Sequence, residues 1–469
     1  MKIGLKGHDY RYEVYQIASL FYPKDEIKFM DEGYELEIIY DRDNNKVTAS
    51  LNGIFESFNL NSYDEKEIKN AIKYTLLKLL QNETGVKMPW GILVGIRPTK
   101  IVHDAFKRGL NEENIREILK EKYLVSKGKI NLLLEVAKNE APFLDQPKNS
   151  VALYIGIPFC PTRCAYCSFT SNPYKGNNLV KDYLIALKKE IYSVINFLKD
   201  RGITIDTLYV GGGTPTSLNE KELDELFSWV KDLINVKKLR EFTVEAGRPD
   251  SLNREKLIIL KENGITRISI NPQTMNQETL DLIGRRHTVE DVIEKFYLSR
   301  EVGFNNINMD IIIGLPGEKE EHVKRTMEKL LVLMPDSITI HTMAVKRASL
   351  LNERMFKGDK DLASRMYDIA TDNVKSIGMH PYYMYRQKNM VSPLENVGYS
   401  FRGKECIYNI QMIAESTTVI ALGADAVTKI VYGESGRIER VANLKDVKEY
   451  ILRIDEQIDE KIKMLIDIC

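Results

Sequence analysis

Apolar positions along this 469-residue chain change rhythm twice. In residues 1–148, short alternating stretches mix with helical ones. Lys2 to Lys6 reads as a strand and Tyr12 to Phe21 as a short helix. Glu35 to Tyr40 and Lys46 to Phe58 read as strands joined by Asp41-Arg42-Asp43-Asn44-Asn45, a turn-rich tip. Between Asp64 and Gln81, Ile68, Ile72, Leu76, Leu79 and Leu80 fall on one helical face. The run Met88 to Lys100 carries Trp90, Gly91, Gly95 and two prolines, which predicts a shaped loop. Helices are expected at Glu112 to Lys122 and Lys129 to Glu140. Pro142 and Gln146-Pro147-Lys148-Asn149 then mark a linker.

Over residues 149–345 strands alternate with amphipathic helices. The strands are Val151–Ile157, Thr207–Val210, Glu241–Glu245, Arg267–Ile270, Asn308–Ile312 and Ser337–Thr342. Leu179–Leu198, Glu220–Ile234 and Val289–Val302 are helices between them. Six βα units specify an α/β fold with a parallel sheet and right-handed crossovers. Residues 346–469 form a third, mostly helical region. Leu362–Ser376 and Asn443–Cys469 are its helices, with strands Thr417–Leu422 and Ala426–Tyr432 around Gly423-Ala424-Asp425.

Composition adds limits. At 43% apolar and 29% charged residues, the chain is typical of a soluble folded protein, and its length calls for two or three domains. Lys+Arg and Asp+Glu both total 67, so the zero net charge argues against a nucleic-acid coat or an anionic membrane as main partner. No stretch approaches the ~20 apolar residues of a membrane helix. Met1 to Lys6 lacks the apolar segment of a signal peptide, so a cytoplasmic location is expected, one that suits unpaired thiols.

The densest chemistry is Cys160-Pro161-Thr162-Arg163-Cys164-Ala165-Tyr166-Cys167, a C-x3-C-x2-C loop. Three thiolates can hold three corners of a [4Fe–4S] cluster and leave the fourth iron open to a small molecule. Structural zinc needs four ligands, usually as two separated pairs, and there is no second pair. Three cysteines within eight residues would strain any disulfide. No histidine lies near the loop in sequence. Cys406 and Cys469 stand alone and read as small apolar fillers.

Other polar residues fall where strands end, the edge at which βα sheets gather their chemistry. Gly211, Gly212, Gly213 and Thr214 follow an apolar strand. Glycines there permit close approach, and exposed amides can bind a carboxylate. Glu245 and Gln273 follow the next two strands. Arg285 offers a bidentate donor to a carboxylate, and Asp310 interrupts an apolar strand. For each, a hydrogen bond within the protein is the competing account.

These motifs in this order resemble the radical S-adenosylmethionine (SAM) superfamily, and within it the oxygen-independent coproporphyrinogen III oxidases. The matching runs are Tyr154 to Phe169, Gly211 to Ser217, Glu245, Gln273 with Arg285, and Asn308 to Gly317. The Trp90-Gly91…Arg97-Pro98 run resembles the coproporphyrinogen dehydrogenase subgroup of clostridia and bacilli. The resemblance implies a partial (β/α)6 TIM-type barrel at 149–345, an N-terminal α+β accessory region at 1–148 and a substrate-covering region at 346–469. It implies that Cys160, Cys164 and Cys167 hold a [4Fe–4S] cluster whose open iron binds SAM. Gly211, Gly212, Gly213, Thr214, Glu245, Gln273, Arg285 and Asp310 would contact SAM, and Tyr154 would lie beside the cluster as a catalytic residue. The implied reaction is cleavage of SAM to a 5′-deoxyadenosyl radical, then oxidative decarboxylation of coproporphyrinogen III to protoporphyrinogen IX. A tetrapyrrole substrate, an electron donor such as a flavodoxin or ferredoxin, and a monomeric state are expected.

Two positions depart from the family. Tyr154-Ile155-Gly156 stands where Tyr-x-His is usual, and Phe169 where decarboxylating members have a fourth cysteine. A haem-chaperone branch carries His-Asn-x-x-Tyr-Trp where this chain has Glu395-Asn396-Val397-Gly398-Tyr399-Ser400. That branch, or a radical SAM enzyme for another tetrapyrrole, is the competing reading. A tetrapyrrole's propionates call for cations, with Arg163, Lys175, Arg248 and Arg386 as candidates. Tyr382-Tyr383-Met384-Tyr385 would suit a flat pocket.

Overall fold

The computed structural model describes residues 1–95, 97–167, 172–346, 349–353, 356, 358–433 and 437–466. The chain divides into two compact units, Met1–Ala137 and Lys138–Cys469. The division falls within the helix Lys127–Leu144, and Pro142 lies inside that helix instead of ending it.

In the first unit, β1 (Lys2–Lys6), β2 (Lys28–Phe29), β3 (Leu36–Asp41), β4 (Lys46–Leu51) and β5 (Ile54–Asn59) form a sheet in the order β2-β1-β3-β4-β5. Alternate residues of β3 and β4 are buried. They meet Val14 and Ile17 of the helix Arg11–Phe21, and Ile72 and Leu76 of the helix Glu65–Thr84. The single strand expected from Lys46 to Phe58 is a hairpin. Asn52 and Gly53 both have positive φ (51° and 80°), the two-residue turn whose twist matches paired strands.

The second unit holds β6 (Ser150–Ile157), β7 (Phe159–Cys160), β8 (Asn172–Pro173), β9 (Thr204–Gly212), β10 (Glu241–Glu245), β11 (Arg267–Ser269), β12 (Ile307–Ile313) and β13 (Ser337–Thr342). It continues with β14 (His380–Tyr385), β15 (Asn396–Ser400), β16 (Val419–Leu422), β17 (Val427–Tyr432) and β18 (Arg437–Ala442). The six expected strands lie side by side and parallel, in the order β6-β9-β10-β11-β12-β13. Helices cover the connections. Leu179–Asp200 buries Tyr183, Leu187, Ile191, Val194 and Leu198, a stripe at helical spacing. Glu220–Leu233 and Val289–Glu301 start on capping boxes, Asn219 with Glu222 and Thr288 with Asp291.

Residues 346–469 are less helical than expected, because they add five strands to this sheet. β16 lies parallel to β6 and is followed by the antiparallel β17 and β18, while β15 and β14 extend the β13 edge antiparallel. Of these, β16 and β17 are the expected strands at Thr417–Leu422 and Ala426–Tyr432, whereas β14, β15 and β18 hide from periodicity. β14 has Pro381 at its second residue, and β15 carries Gly398, where a Cβ would come 2.0 Å from the Tyr383 ring. Pairing, more than side-chain alternation, makes them strands.

Alternation along the parallel strands sorts polar side chains into layers. Near one end, Arg267 is buried and donates to Ser337 Oγ, while Glu241 accepts from Cys406 Sγ and the Ile407 amide. Four residues further on, level with the strands' carboxyl halves, come Glu245 and its neighbours.

Candidate functional site

Three thiols sit on the loop that leaves β6. Cys164 is buried, and Cys160 and Cys167 are partly exposed. The Cys167 amide donates to Cys164 O, and the Ala165 amide to Ile283 O, which curls the loop and ties it to a neighbouring segment. Thr214 Oγ1 lies 3.5 Å from Cys160 Sγ, and Arg248 Nη1 lies 3.5 Å from Cys164 Sγ. Burial pushes the free Cys160 thiol up to about 11, so a bound metal is what would hold it as thiolate. Among the described residues no three Cys, His, Asp or Glu side chains converge on a single-ion site. Three thiols on one loop suit a polynuclear cluster, in which each cysteine takes its own iron. The donor set, with polar groups aimed at two of its sulfurs, fits a [4Fe–4S] cluster.

The glycine run is shaped by close packing. A Cβ on Gly211 would lie 2.8 Å from Glu245 Cδ, and one on Gly213 would lie 2.6 Å from Phe159 O. Gly212 has φ +106°. The amide reading needs correction, since Gly212 N donates to Glu245 Oε2 (3.1 Å), Gly213 N to Ile157 O (2.8 Å) and Thr214 N to Phe159 O (2.7 Å). The run binds the cysteine loop to β10 and leaves these three amides no free direction.

Glu245 also accepts from Tyr209 Oη at 2.6 Å. Burial pushes its pKa up to about 7, and the nearby Asp310 charge adds to the rise. Tyr154 lies on the same face of the sheet. Its ring stacks on Tyr209 (6.2 Å, 17°) and Tyr408 (6.4 Å, 24°), and burial raises its pKa strongly. Gly156 shares the Tyr154 face. A side chain there would start 3.3 Å from the Tyr154 ring and 3.4 Å from Leu422 O, so a histidine at this position would require its neighbours to give by a few tenths of an ångström. Phe169 lies outside the described residues.

Gln273 carries two marks of a ligand site. It is a non-glycine residue at φ +66°, and its Oε1 is buried with no protein partner. Its backbone is held by Asp310 O and Ile312 N. Arg285 departs from expectation. Nη1 donates to Tyr166 Oη, and Nη2 to Gly247 O (2.8 Å) and Asn271 O (2.6 Å). Only Nε is left over. The guanidinium thus clamps the cysteine loop to two strand ends, and a bidentate carboxylate bond is not open to it.

Asp310 is not at a strand end but mid-β12, opposite Thr339 of β13. It accepts from Asn308 Nδ2 at 2.7 Å and lies 3.6 Å from His341 Nε2, and Tyr385 Oη meets His341 Nδ1 at 3.2 Å. Burial works against its charge, but His341, Asn308 and Thr339 outweigh burial and hold its pKa below the ordinary value. Sequence reasoning passed over His341. The signal was there in Ser337, Thr339 and His341, three polar residues at every second position of an apolar strand.

Of the four candidate cations, Arg163 and Lys175 are exposed. Arg248 is 3% exposed against the cysteine loop, and Arg386 is 8% exposed with Nε donating to Leu394 O, so neither is a surface charge. Tyr382 and Tyr383 are buried in β14, which makes that run largely core, with Tyr385 partly exposed beside His341. Cys406 is fully buried against Glu241, and Cys469 lies outside the described residues. The orphaned Gln273 oxygen and the acceptors Glu245 and Asp310 fit a cationic nucleoside ligand such as SAM.

Residues 154–330 match the family model described as the radical SAM superfamily. A Bacillus subtilis protein, oxygen-independent coproporphyrinogen-III oxidase-like protein HemZ, is 42% identical over 99% of this chain and 98% of its own length. The haem chaperone HemW of the same organism is 35% identical over 49% of this chain and 61% of its own. Among solved structures, coproporphyrinogen III oxidase (HemN) from Escherichia coli superposes with a TM-score of 0.54 at 22% identity, over 68% of this chain and 72% of that one. That likeness shows the fold. No helix among the described residues is long and apolar enough to cross a membrane.

Proposed function

This chain belongs to the oxygen-independent coproporphyrinogen-III oxidase-like family of radical SAM proteins, and from that premise we propose that it oxidatively decarboxylates coproporphyrinogen III to protoporphyrinogen IX. The carrying observation is the end-to-end match to HemZ, which includes the N-terminal unit and the C-terminal strands as well as the radical SAM segment.

When bound, the cluster and SAM supply one-electron chemistry that abstracts hydrogen from carbon, and the organic chemistry is theirs. The protein's part is to hold and shield them. Cys160, Cys164 and Cys167 would hold the cluster. Glu245, Gln273 and Asp310 present acceptors for ammonium and hydroxyl groups, and Arg285 keeps the strand ends in place. Beside these acceptors the Tyr154–Tyr209–Tyr408 stack is core packing, with Tyr209 and Tyr408 buried and Tyr154 partly exposed.

The chaperone reading has less support. It matches half of this chain, and residues 395–400 have neither the histidine nor the tryptophan of that branch and are buried at the β15 edge. The test is an anaerobic assay with reconstituted cluster, SAM, a strong reductant and coproporphyrinogen III, read by mass spectrometry. Products lighter by one and two units of carbon dioxide plus two hydrogens, with 5′-deoxyadenosine, are expected in the wild type and absent in Cys164→Ala. 5′-Deoxyadenosine with untouched porphyrinogen would leave the radical chemistry and remove the substrate.

A further inference from the structure

Arg248 is a buried cation with an unusual set of contacts. It follows β10 and opens a short helical turn, Pro249–Ser251. Its Nη1 lies 3.5 Å from Cys164 Sγ and 3.2 Å from Thr162 O, and its Nη2 donates to Thr162 Oγ1 at 3.0 Å. Nε and Nη2 also form a two-pronged pair with Asp250, at 2.9 and 2.7 Å. The guanidinium therefore touches the segment between the first two cysteines at three atoms and carries its counter-charge on the side away from the sulfur.

We propose that Arg248 and Asp250 act as a positioning pair that sets the reduction potential of the cluster, with Arg248 favouring the reduced form and Asp250 tempering it. The inference rests on the cluster assignment and is independent of the substrate. A cluster on three thiolates gains negative charge when it takes up an electron. A cation at hydrogen-bond distance from one of its sulfurs, largely shielded from water, stabilises that added charge. A hydrogen bond to the sulfur works in the same direction. Asp250 keeps the buried guanidinium from being an isolated charge, and it cancels part of the field the cluster feels.

Two charged or titratable neighbours, His287 and Arg285, do not take over this role. His287 Nδ1 lies 3.9 Å from Asp250 Oδ1, but burial and the Arg285 and Arg248 charges hold its pKa down to about 3, so the ring is neutral. Arg285 spends its terminal nitrogens on Tyr166, Gly247 and Asn271, not on a sulfur. Arg248 Nη1, in contrast, lies within reach of the Cys164 sulfur.

The experiment is an anaerobic redox titration of the reconstituted full-length protein with mediators, followed by electron paramagnetic resonance of the reduced cluster. Iron and sulfide are quantified in each sample. Arg248→Gln should shift the midpoint to more negative potential, and Asp250→Asn should shift it to more positive potential. Arg248→Lys, which keeps the charge and loses the fork, should fall between Arg248→Gln and wild type. Opposite signs are the diagnostic, because mere loosening of the loop would push both variants the same way. Unshifted midpoints at full cluster content, or shifts of one sign in both variants, overturn the inference and leave the cluster assignment standing. Wild-type protein that takes up no iron and sulfide overturns the assignment itself, and the inference with it.

Discussion

Glu245 carries a pH signature that can be measured without any cofactor. Its ordinary value is 4.5, and burial raises it to about 7 in the folded chain. Between these values the folded state holds a proton that the unfolded state has lost. Stability from this group therefore falls as pH rises through that window, and the penalty is absent below it. Glu245→Gln removes the titration. The melting temperature of the variant minus that of the cofactor-free wild type should grow as pH rises from 4.5 to 8, and a flat difference would show that Glu245 ionises freely. Gln273 and Arg285 show why single residues are hard to assign from order alone. The first has an unspent buried oxygen on strained backbone, whereas the second has engaged both terminal nitrogens inside the protein. Both lie near the same edge of the sheet, and what separates them is who else is close by.

Between elements, one buried ion pair holds much of the second unit's architecture. Glu190, on the helix Leu179–Asp200, pairs with Lys461 on the helix Ile454–Ile466, and both side chains are fully buried. Glu190 also accepts from the Gly423 amide (2.7 Å), Asn443 Nδ2 (2.9 Å) and Tyr450 Oη (2.6 Å). Four segments distant in sequence thus meet on one carboxylate. Lys461→Met leaves that carboxylate buried with its charge unpaired and should cost about 3–5 kcal/mol. Replacing both partners, Glu190→Leu with Lys461→Met, should recover a large part of the loss. Denaturant unfolding read at Trp229 checks this, and a loss under about 1 kcal/mol for Lys461→Met would show that water reaches the pair.

For the whole molecule, the two compact units carry one tryptophan each: Trp90 in the first and Trp229 in the second. Each unit has its own core, so each is expected to unfold as its own cooperative transition. Trp90→Phe and Trp229→Phe each leave one reporter, and their fluorescence melting curves should not coincide. Superposed curves would mean a single cooperative unit. The order of chemistry along the chain was legible before any coordinate. The spacing Cys160–Cys164–Cys167, the Gly211 run and six strands separated by amphipathic helices are local patterns, and local patterns fix element type and sequence order. Three of the added strands were not legible, because β15 is held between β14 and β13, across the helix Lys360–Ser376, and β14 and β18 are edge strands shaped by their single partners. Nor were Arg248 on a cysteine sulfur, His341 on Asp310, or the glycine amides already occupied by Glu245 and neighbouring carbonyls. Each is a contact between segments that only folding brings within hydrogen-bond reach, and whether a polar group is free for a ligand depends on those contacts, not on the residue's own neighbours in the chain.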